Sequence, residues 1–508
     1  MMRKELNAQW LLLLAVFVIA TCGLIYELVA GTLASYLLGD SVTQFSTIIG
    51  VYLFSMGVGS YFSQYFEKGL LSWFIRIELL VGLIGGLSSA ILFVVFPLAS
   101  SFRIILYAFV FLTGMLVGLE IPLLMRILKD KVEFKELVSR VFTFDYIGAL
   151  LASLIFPLLL VPHLGLIRTS LFFGILNIGV GWYLAHRFSK EIKGTSALKA
   201  TAILLLLVET GCFVFSEKIM SYSETATYSD PVVFSQSSPY QRIVLTKNKK
   251  EIRLFLNGNL QFSSADEYRY HEALVHPALS SVSHLNKVLI LGGGDGLAVR
   301  EVLKYPSVNE VTLVDLDPAM TALFQKQEML LKLNEHSLLN KKVQVVNADA
   351  FTWLRANKKL FDAIIIDFPD PSNFSIGKLY STAFYHLLQQ ALAPEGITVI
   401  QSTSPFAAPR SFWCIAETLR SVGLQTMAYH NYVPSFGEWG YIMAMHQKPP
   451  AMFAQLPSNL KFLNIPVLQQ MFVFPEDMKT TLPIEANRLN NQVLVQYFEE
   501  EWEKYLAM

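Results

Sequence analysis

In the stretch "DFPDPSNF", Asp367 and Asp370 stand close together just past a short apolar run. One carboxylate of such a pair can orient an amine and accept its proton, while the other holds a cationic group nearby. A protonated amine is no nucleophile, so alkylation of an amine needs an acceptor of this kind. Further acids recur in the same setting. Asp295, Asp315 with Asp317, and Asp349 each follow a β-forming run, as do Ser402 to Ser404. A turn aspartate that caps the next helix would explain any one of these. Acids closing four successive strands are too regular for that explanation to cover the set.

The stretch "LGGGDGLAVR" lies where one of these runs turns into a helix. It lacks the Gly-Lys-Ser/Thr of a Walker loop and is not a clean Gly-x-Gly-x-x-Gly. Asp295 sits where a dinucleotide pyrophosphate would lie, and a carboxylate there repels a phosphate. It suits a cation. Gly292 and Gly294 let the backbone approach a nucleoside, and Asp315 is placed for ribose hydroxyls. Asp349 and Ala350 fall beside the adenine position. A positively charged adenosyl sulfonium fits better than NAD. S-adenosylmethionine and its decarboxylated form both meet this description; extra carboxylates favour the decarboxylated form, which carries a bare ammonium.

These residues need a scaffold that gathers strand ends. From Lys287 the chain alternates strand and helix: "KVLILGG", "EVTLVDLD", "KVQVVNAD", "FDAIIIDFPD" and "GITVIQS" are strands with helical segments between them. This rhythm predicts a parallel doubly wound sheet whose ligand site lies beyond the C-terminal strand ends. "QTMAYHNYVP" and "WGYIMAMH" read as an antiparallel pair at its edge. Ahead of it, "VVFSQ", "QRIVLTKN", "KEIRLFLNG" and "LQFSS" predict a small antiparallel sheet. "ADEYRYHEALVHPALSS" has helical spacing with a Ser or Asp cap before it.

The region from about Tyr240 to Tyr441 resembles the spermidine synthase (polyamine aminopropyltransferase) family. The resemblance rests on "SPYQRI", "LFLNGNLQFSSADEYRYHEALVHPAL", "VLILGGGDGLAVREVLKY", "VTLVDLD", "NADAF", "DAIIIDFPDP" and "LYSTAFY", in the family's order. It implies transfer of an aminopropyl group from decarboxylated S-adenosylmethionine to a diamine, with putrescine giving spermidine and methylthioadenosine. It implies that Gln241 contacts the nucleoside and that Tyr270 and His271 line the amine channel. Asp295 would hold the aminopropyl ammonium, Asp315 the ribose, and Asp349 with Ala350 the adenine. Asp367 would be the catalytic proton acceptor and Asp370 would bind the amine. Pro371 to Tyr380 would form a gate, with Tyr380 among the amine-binding residues. Such enzymes work without a metal or a permanently bound cofactor and are usually homodimers. Three positions depart from the family pattern. Asp315 replaces a commoner glutamate, Leu297 a common glycine, and Phe436 a tyrosine that lines the acceptor pocket.

The rest of the chain is of another kind. Of 508 residues, 53% are hydrophobic and 16% charged, where soluble domains average roughly 25% charged. The apolar excess lies before about residue 217, in seven stretches: Trp10–Ala30, Phe45–Tyr65, Ile77–Phe96, Ile104–Leu124, Phe142–Val161, Leu166–Leu184 and Leu198–Phe215. Each is long enough for roughly 30 Å of hydrocarbon. The expected architecture is an N-terminal polytopic α-helical membrane domain followed by an α/β Rossmann-like (class I methyltransferase-type) domain preceded by a small antiparallel β-sheet. Residues 1–217 form the membrane domain, 218–284 a linker and the β-hairpin subdomain, 285–448 the catalytic domain, and 449–508 a helical tail. The membrane-anchored branch of the same family has this layout.

Lys and Arg crowd alternate loops, with Arg3, Lys4, Lys68, "RILKDKVEFKELVSR" and "HRFSKEIKGTSALK" on one side. This places the N-terminus in the cytoplasm of a multi-pass cell (inner) membrane protein. Seven crossings then put the second half outside, whereas decarboxylated S-adenosylmethionine is expected inside. Five carboxylates fall within the spans: Glu27, Glu78, Glu120, Asp145 and Glu209. Each is a functional candidate or a helix-to-helix hydrogen bond. A net charge of zero offers no nucleic-acid footprint, and Cys22, Cys212 and Cys414 are spaced as packing residues. Two readings compete with the aminopropyltransferase: a methyltransferase on the same sheet, and a transporter or sensor with a polyamine-binding domain.

Overall fold

A computed structural model describes residues 2–38, 41–99, 101–129, 133–220, 228–447, 453 and 456–506. Lys131, loop residues 39, 40 and 100, linker residues 221–227, the 448/449 boundary and the side chains of Arg3 and Lys4 lie outside that description. The chain forms two compact units, Met1–Val232 and Val233–Met508.

In the first unit, six helical runs among the described residues are long and apolar enough to cross a membrane. The seven apolar stretches fall on six runs because the fifth, Phe134–Arg187, carries two of them. A π-turn at Phe156–Leu160 and a break at Gly165 (φ 71°, ψ 178°) interrupt it. That φ belongs to the left-handed half of backbone space, which glycine enters without penalty. Helix contacts show the run turning back on itself. Trp10 meets Phe144 and Thr21 meets Gly148, so Phe134–Ile155 runs parallel to Met2–Leu38. Gly174 meets Gly82 and Gly86 while Gly181 meets Glu78, so Val161–Arg187 runs antiparallel to Leu70–Val95.

The second unit opens with a four-stranded sheet, β1 (Val232–Ser237), β2 (Arg242–Lys247), β3 (Ile252–Leu256) and β4 (Asn259–Ser263). The helix Glu267–Leu279 then leads into a seven-stranded sheet: β5 (Lys287–Gly292), β6 (Glu310–Asp315), β7 (Val343–Asn347), β8 (Phe361–Asp367), β9 (Leu392–Gln401), β10 (Gln425–Val433) and β11 (Gly437–Met445). Its order is β10-β11-β9-β8-β5-β6-β7. β9-β8-β5-β6-β7 are parallel, and β11 and β10 close the edge antiparallel. Val288, Leu289, Ile290 and Ile364 to Ile366 are fully buried. These central strands are therefore continuous apolar runs, as a sheet covered on both faces requires. Strand order reverses between β5 and β8, which puts the crevice at their C-terminal ends.

The tail beyond residue 456 packs on this unit through two carboxylates, one buried and one half-buried. Glu272 accepts the backbone N–H groups of Lys461, Phe462 and Leu463 at 2.8–2.9 Å. Glu501, on the helix Val493–Leu506, accepts those of Arg410 (2.9 Å) and Ser411 (3.1 Å). It thereby satisfies open donors at the start of the helix Pro409–Ser421, where Ala408 offers no side-chain cap.

Candidate active site

Parallel pairing sets Gly292 beside Asp367 at the ends of β5 and β8. Gly292 has φ 83°, and a Cβ there would fall 2.1 Å from the Asp367 carbonyl oxygen. Only glycine admits so close an approach. At Gly294 a Cβ would lie 2.7 Å from the Asp315 carboxylate. The Gly294 N–H donates to Asp315 Oδ2 (3.0 Å) and the Asp317 N–H to Oδ1 (2.9 Å). The shorter acid is thus drawn back onto the glycine loop. Asp295 Oδ1 accepts the Leu297 N–H at 2.9 Å.

Capping accounts for part of the acidic set. Asp317 caps the helix Pro318–Lys326 and Asp349 caps Ala350–Ala356, with Ala350 buried in its first turn. The other Asp317 oxygen accepts from Ser238 Oγ (2.7 Å) and Gln241 Nε2 (2.9 Å), fixing Gln241 at the crevice rim. Lys378 Nζ lies 3.1 Å from Asp349 Oδ2. The Thr352 N–H and Lys378 outweigh burial there, holding the carboxyl below its ordinary range.

At the end of β8, the Tyr270 hydroxyl donates to Asp367 Oδ1 at 2.6 Å. Tyr270 packs against Phe436 and Tyr441, and Phe436 against Trp439. His271, 2% exposed, points Nδ1 at Glu267 Oε2 (2.9 Å). Arg300 grips both Glu267 oxygens at 2.9 Å. Burial of His271 is outweighed by Glu267, so the ring stays charged up to about 9. Burial of Glu267 is outweighed by His271 and Arg300, which hold it near 2.

The crevice acids behave oppositely. Desolvation raises Asp295 and Asp315 to about 6 and Asp370 to about 7, and it also raises Asp367. Carboxyls whose ionisation is disfavoured by burial are poised to take up a cation.

Two predicted residues serve the backbone. Tyr380 is fully buried and donates to the Pro369 carbonyl at 3.1 Å. Asp266 makes no side-chain cap; its carboxylate accepts the Ser435 N–H (2.7 Å) and hydroxyl (3.0 Å), pinning the β10–β11 turn that carries Phe436. Gln401 was missed, although it too is a polar strand end. Its Nε2 reaches the Phe368 carbonyl (2.6 Å), the Tyr380 hydroxyl (3.0 Å) and Asp370 Oδ1 (3.4 Å). Thr403, beside it, holds φ 55°. Its carbonyl accepts the Gly440 N–H at 2.7 Å.

The fold is a doubly wound sheet with acids gathered at the C-terminal ends of its central strands, where α/β enzymes bind their ligands. Residues 267–455 match the spermine/spermidine synthase domain. A polyamine aminopropyltransferase of Leptospira interrogans is 54% identical over 502 residues, covering 98% of this chain and all of that one. Polyamine aminopropyltransferase 2 of Ralstonia nicotianae is 54% identical over 505 residues, covering 97% and 98%. A crystal structure of spermidine synthase in complex with the transition state analogue AdoDATO is 29% identical over 48% of this chain and 85% of that one, with a TM-score of 0.45. The chain belongs to the polyamine aminopropyltransferase family. The likeness to the curated relatives spans both units.

Proposed function

We propose that this enzyme transfers the aminopropyl group of decarboxylated S-adenosylmethionine to putrescine, yielding spermidine and methylthioadenosine. The amine lone pair attacks the carbon next to the sulfonium. The C–S bond breaks, its electrons return to sulfur, and the proton of the new ammonium passes to Asp367. Tyr270 orients that carboxylate, and Asp370 holds the far end of the amine. Asp295 binds the aminopropyl ammonium, Asp315 and Gln241 the ribose side, and Asp349 with Ala350 the adenine. Holding both reactants in line supplies much of the rate. The observation that carries the reading is the set of buried strand-end acids Asp295, Asp367 and Asp370, with His271, whose charge reaches Asp295 and Asp367, already committed to Glu267.

The helical unit is proposed to sit in the membrane as a multi-pass anchor. Radiolabelled decarboxylated S-adenosylmethionine offered with a panel of di- and polyamines tests the reaction. Labelled spermidine formed with methylthioadenosine is expected. Adenosylhomocysteine formed from S-adenosylmethionine instead would make the enzyme a methyltransferase.

A further inference from the structure

Three of the span carboxylates turn inward. Glu78, Glu120 and Glu209 are 0%, 2% and 0% exposed. Neither oxygen of Glu209 has a hydrogen-bonding partner among the described residues, and Glu78 and Glu120 face each other carboxyl to carboxyl. No helix-to-helix hydrogen bond accounts for Glu209. Asn177, fully buried, also leaves both amide atoms unpartnered, and so does the Tyr26 hydroxyl.

These groups share one seam. Gly174 backs onto Gly86 and Glu209, and Gly181 onto Glu78. Asn177 lies three residues after Gly174 and four before Gly181, so it falls on the same helix face between the two acids. Glu120 adjoins Glu78 from the helix Phe102–Leu128. The Tyr26 ring covers Gly85, one residue from Gly86. Glu209 is one of three buried residues on its helix, with Leu198 and Ala202.

An ionised carboxylate in an apolar interior is costly without a counter-charge, and an unpaired amide adds to that cost. A ligand that carries positive charge and N–H donors meets both demands. From Glu78 to Gly86, beside Glu209, is eight residues of helix, about 12 Å at 1.5 Å per residue. The described His, Cys, Asp and Glu side chains form no group that could close around a metal ion. Separated anionic ends with an amide between them suit a long, linear cation.

We propose that the helical unit contains a second amine site, in which a linear polyammonium cation spans from Glu209 to the Glu78–Glu120 pair across Asn177. The choice of spermidine as probe rests on the aminopropyltransferase reading. The full chain in zwitterionic nanodiscs is titrated with radiolabelled spermidine by equilibrium dialysis. Wild type is expected to bind two equivalents. Glu209→Gln and Asn177→Leu should bind one and keep aminopropyl transfer within about twofold, which also reports that they fold. Asp370→Asn should lose the other equivalent. A single equivalent on wild type overturns the second site whatever the variants do, leaving protons as the only occupants of the seam. Two equivalents on both Glu209→Gln and Asn177→Leu overturn its location. Failure of the proposed reaction is separate: wild type would then form no aminopropyl product.

Discussion

At the scale of single residues, the site is a matter of which acids are ionised and when. Asp367→Asn keeps the shape of the crevice and the Tyr270 contact but removes the proton acceptor. The expected result is a fall in kcat of about 10²- to 10⁴-fold, with the KM for the adenosyl substrate within about threefold, measured by methylthioadenosine release. An unchanged kcat would remove Asp367 from the mechanism. The raised carboxyls also predict a pH profile. Below about 6 to 7, Asp295, Asp315 and Asp370 carry protons in the free enzyme and cannot pair with ammonium groups. kcat/KM should therefore drop as pH falls through that window. A bound cation favours the ionised form, so the acid limb of kcat should lie at lower pH than that of kcat/KM. Coincident limbs would mean that these acids do not contact the cations. Most of these residues were legible as strand-end acids after apolar runs. Gln401 was not, because an amide gives no charge signal and its role depends on how β9 lies beside β8.

Elements hold these residues through contacts that sequence pattern does not encode. Helical spacing locates the segment Glu267–Leu279 and predicts a Ser or Asp cap at its start. Asp266 instead restrains a turn 169 residues away in the chain, a long-range choice no local rule contains. The tail shows the same limit. Its short helices offered no chemistry, yet Asn487 donates to the carbonyls of both Gly377 (3.0 Å) and Tyr380 (3.1 Å), at the end of the proposed gate. Asn487→Leu should leave those buried acceptors unsatisfied, a loss of about 1–3 kcal/mol. If Pro371–Tyr380 gates the site, amine KM should rise several-fold while the adenosyl substrate's KM moves less. Equal changes in the two would make the tail a general stabiliser. The Glu267 cluster is a second such case. Glu267→Gln breaks a buried pair with Arg300 and His271, and losses of about 3–5 kcal/mol are usual when one partner of such a pair is removed. Thermal unfolding of the full chain should show a clear drop in Tm, and an unchanged Tm would mean that Arg300 re-pairs.

For the whole molecule, the two kinds of composition announced two units, and apolar run lengths announced the helices. What run lengths could not show was that the fifth and sixth stretches part at a π-turn and a glycine break. Direction decides the topology. Phe134–Ile155 runs with the first helix. Gly23 and Gly31 of the first helix meet Tyr52 and Phe45 of the second, so that pair is antiparallel. Arg126 reaches the Ser63 and Phe66 carbonyls, and Gly114 and Gly118 meet Tyr52 and Met56, so the second and fourth helices run together. Arg168 meets Ser216 and Glu217, bringing the start of the returning segment beside the end of the last helix. The 54-residue run would be about 80 Å long if straight, far more than one crossing, and its halves run in opposite senses. These directions alternate as seven crossings require. The chain after Val214 then leaves on the face opposite Lys68, Lys129 and Arg187, and positively charged loops favour the cytoplasm. The expected outcome is that a reporter active only outside the cytoplasm, fused after Met508, is active, and that an external protease cleaves the second unit in intact cells. The enzyme would then have to meet its adenosyl substrate across the membrane. A fusion active only in the cytoplasm would instead show that one helical run lies in the bilayer without crossing it. Thr195–Val214 is the first to test, since at 20 residues it is the shortest of the six.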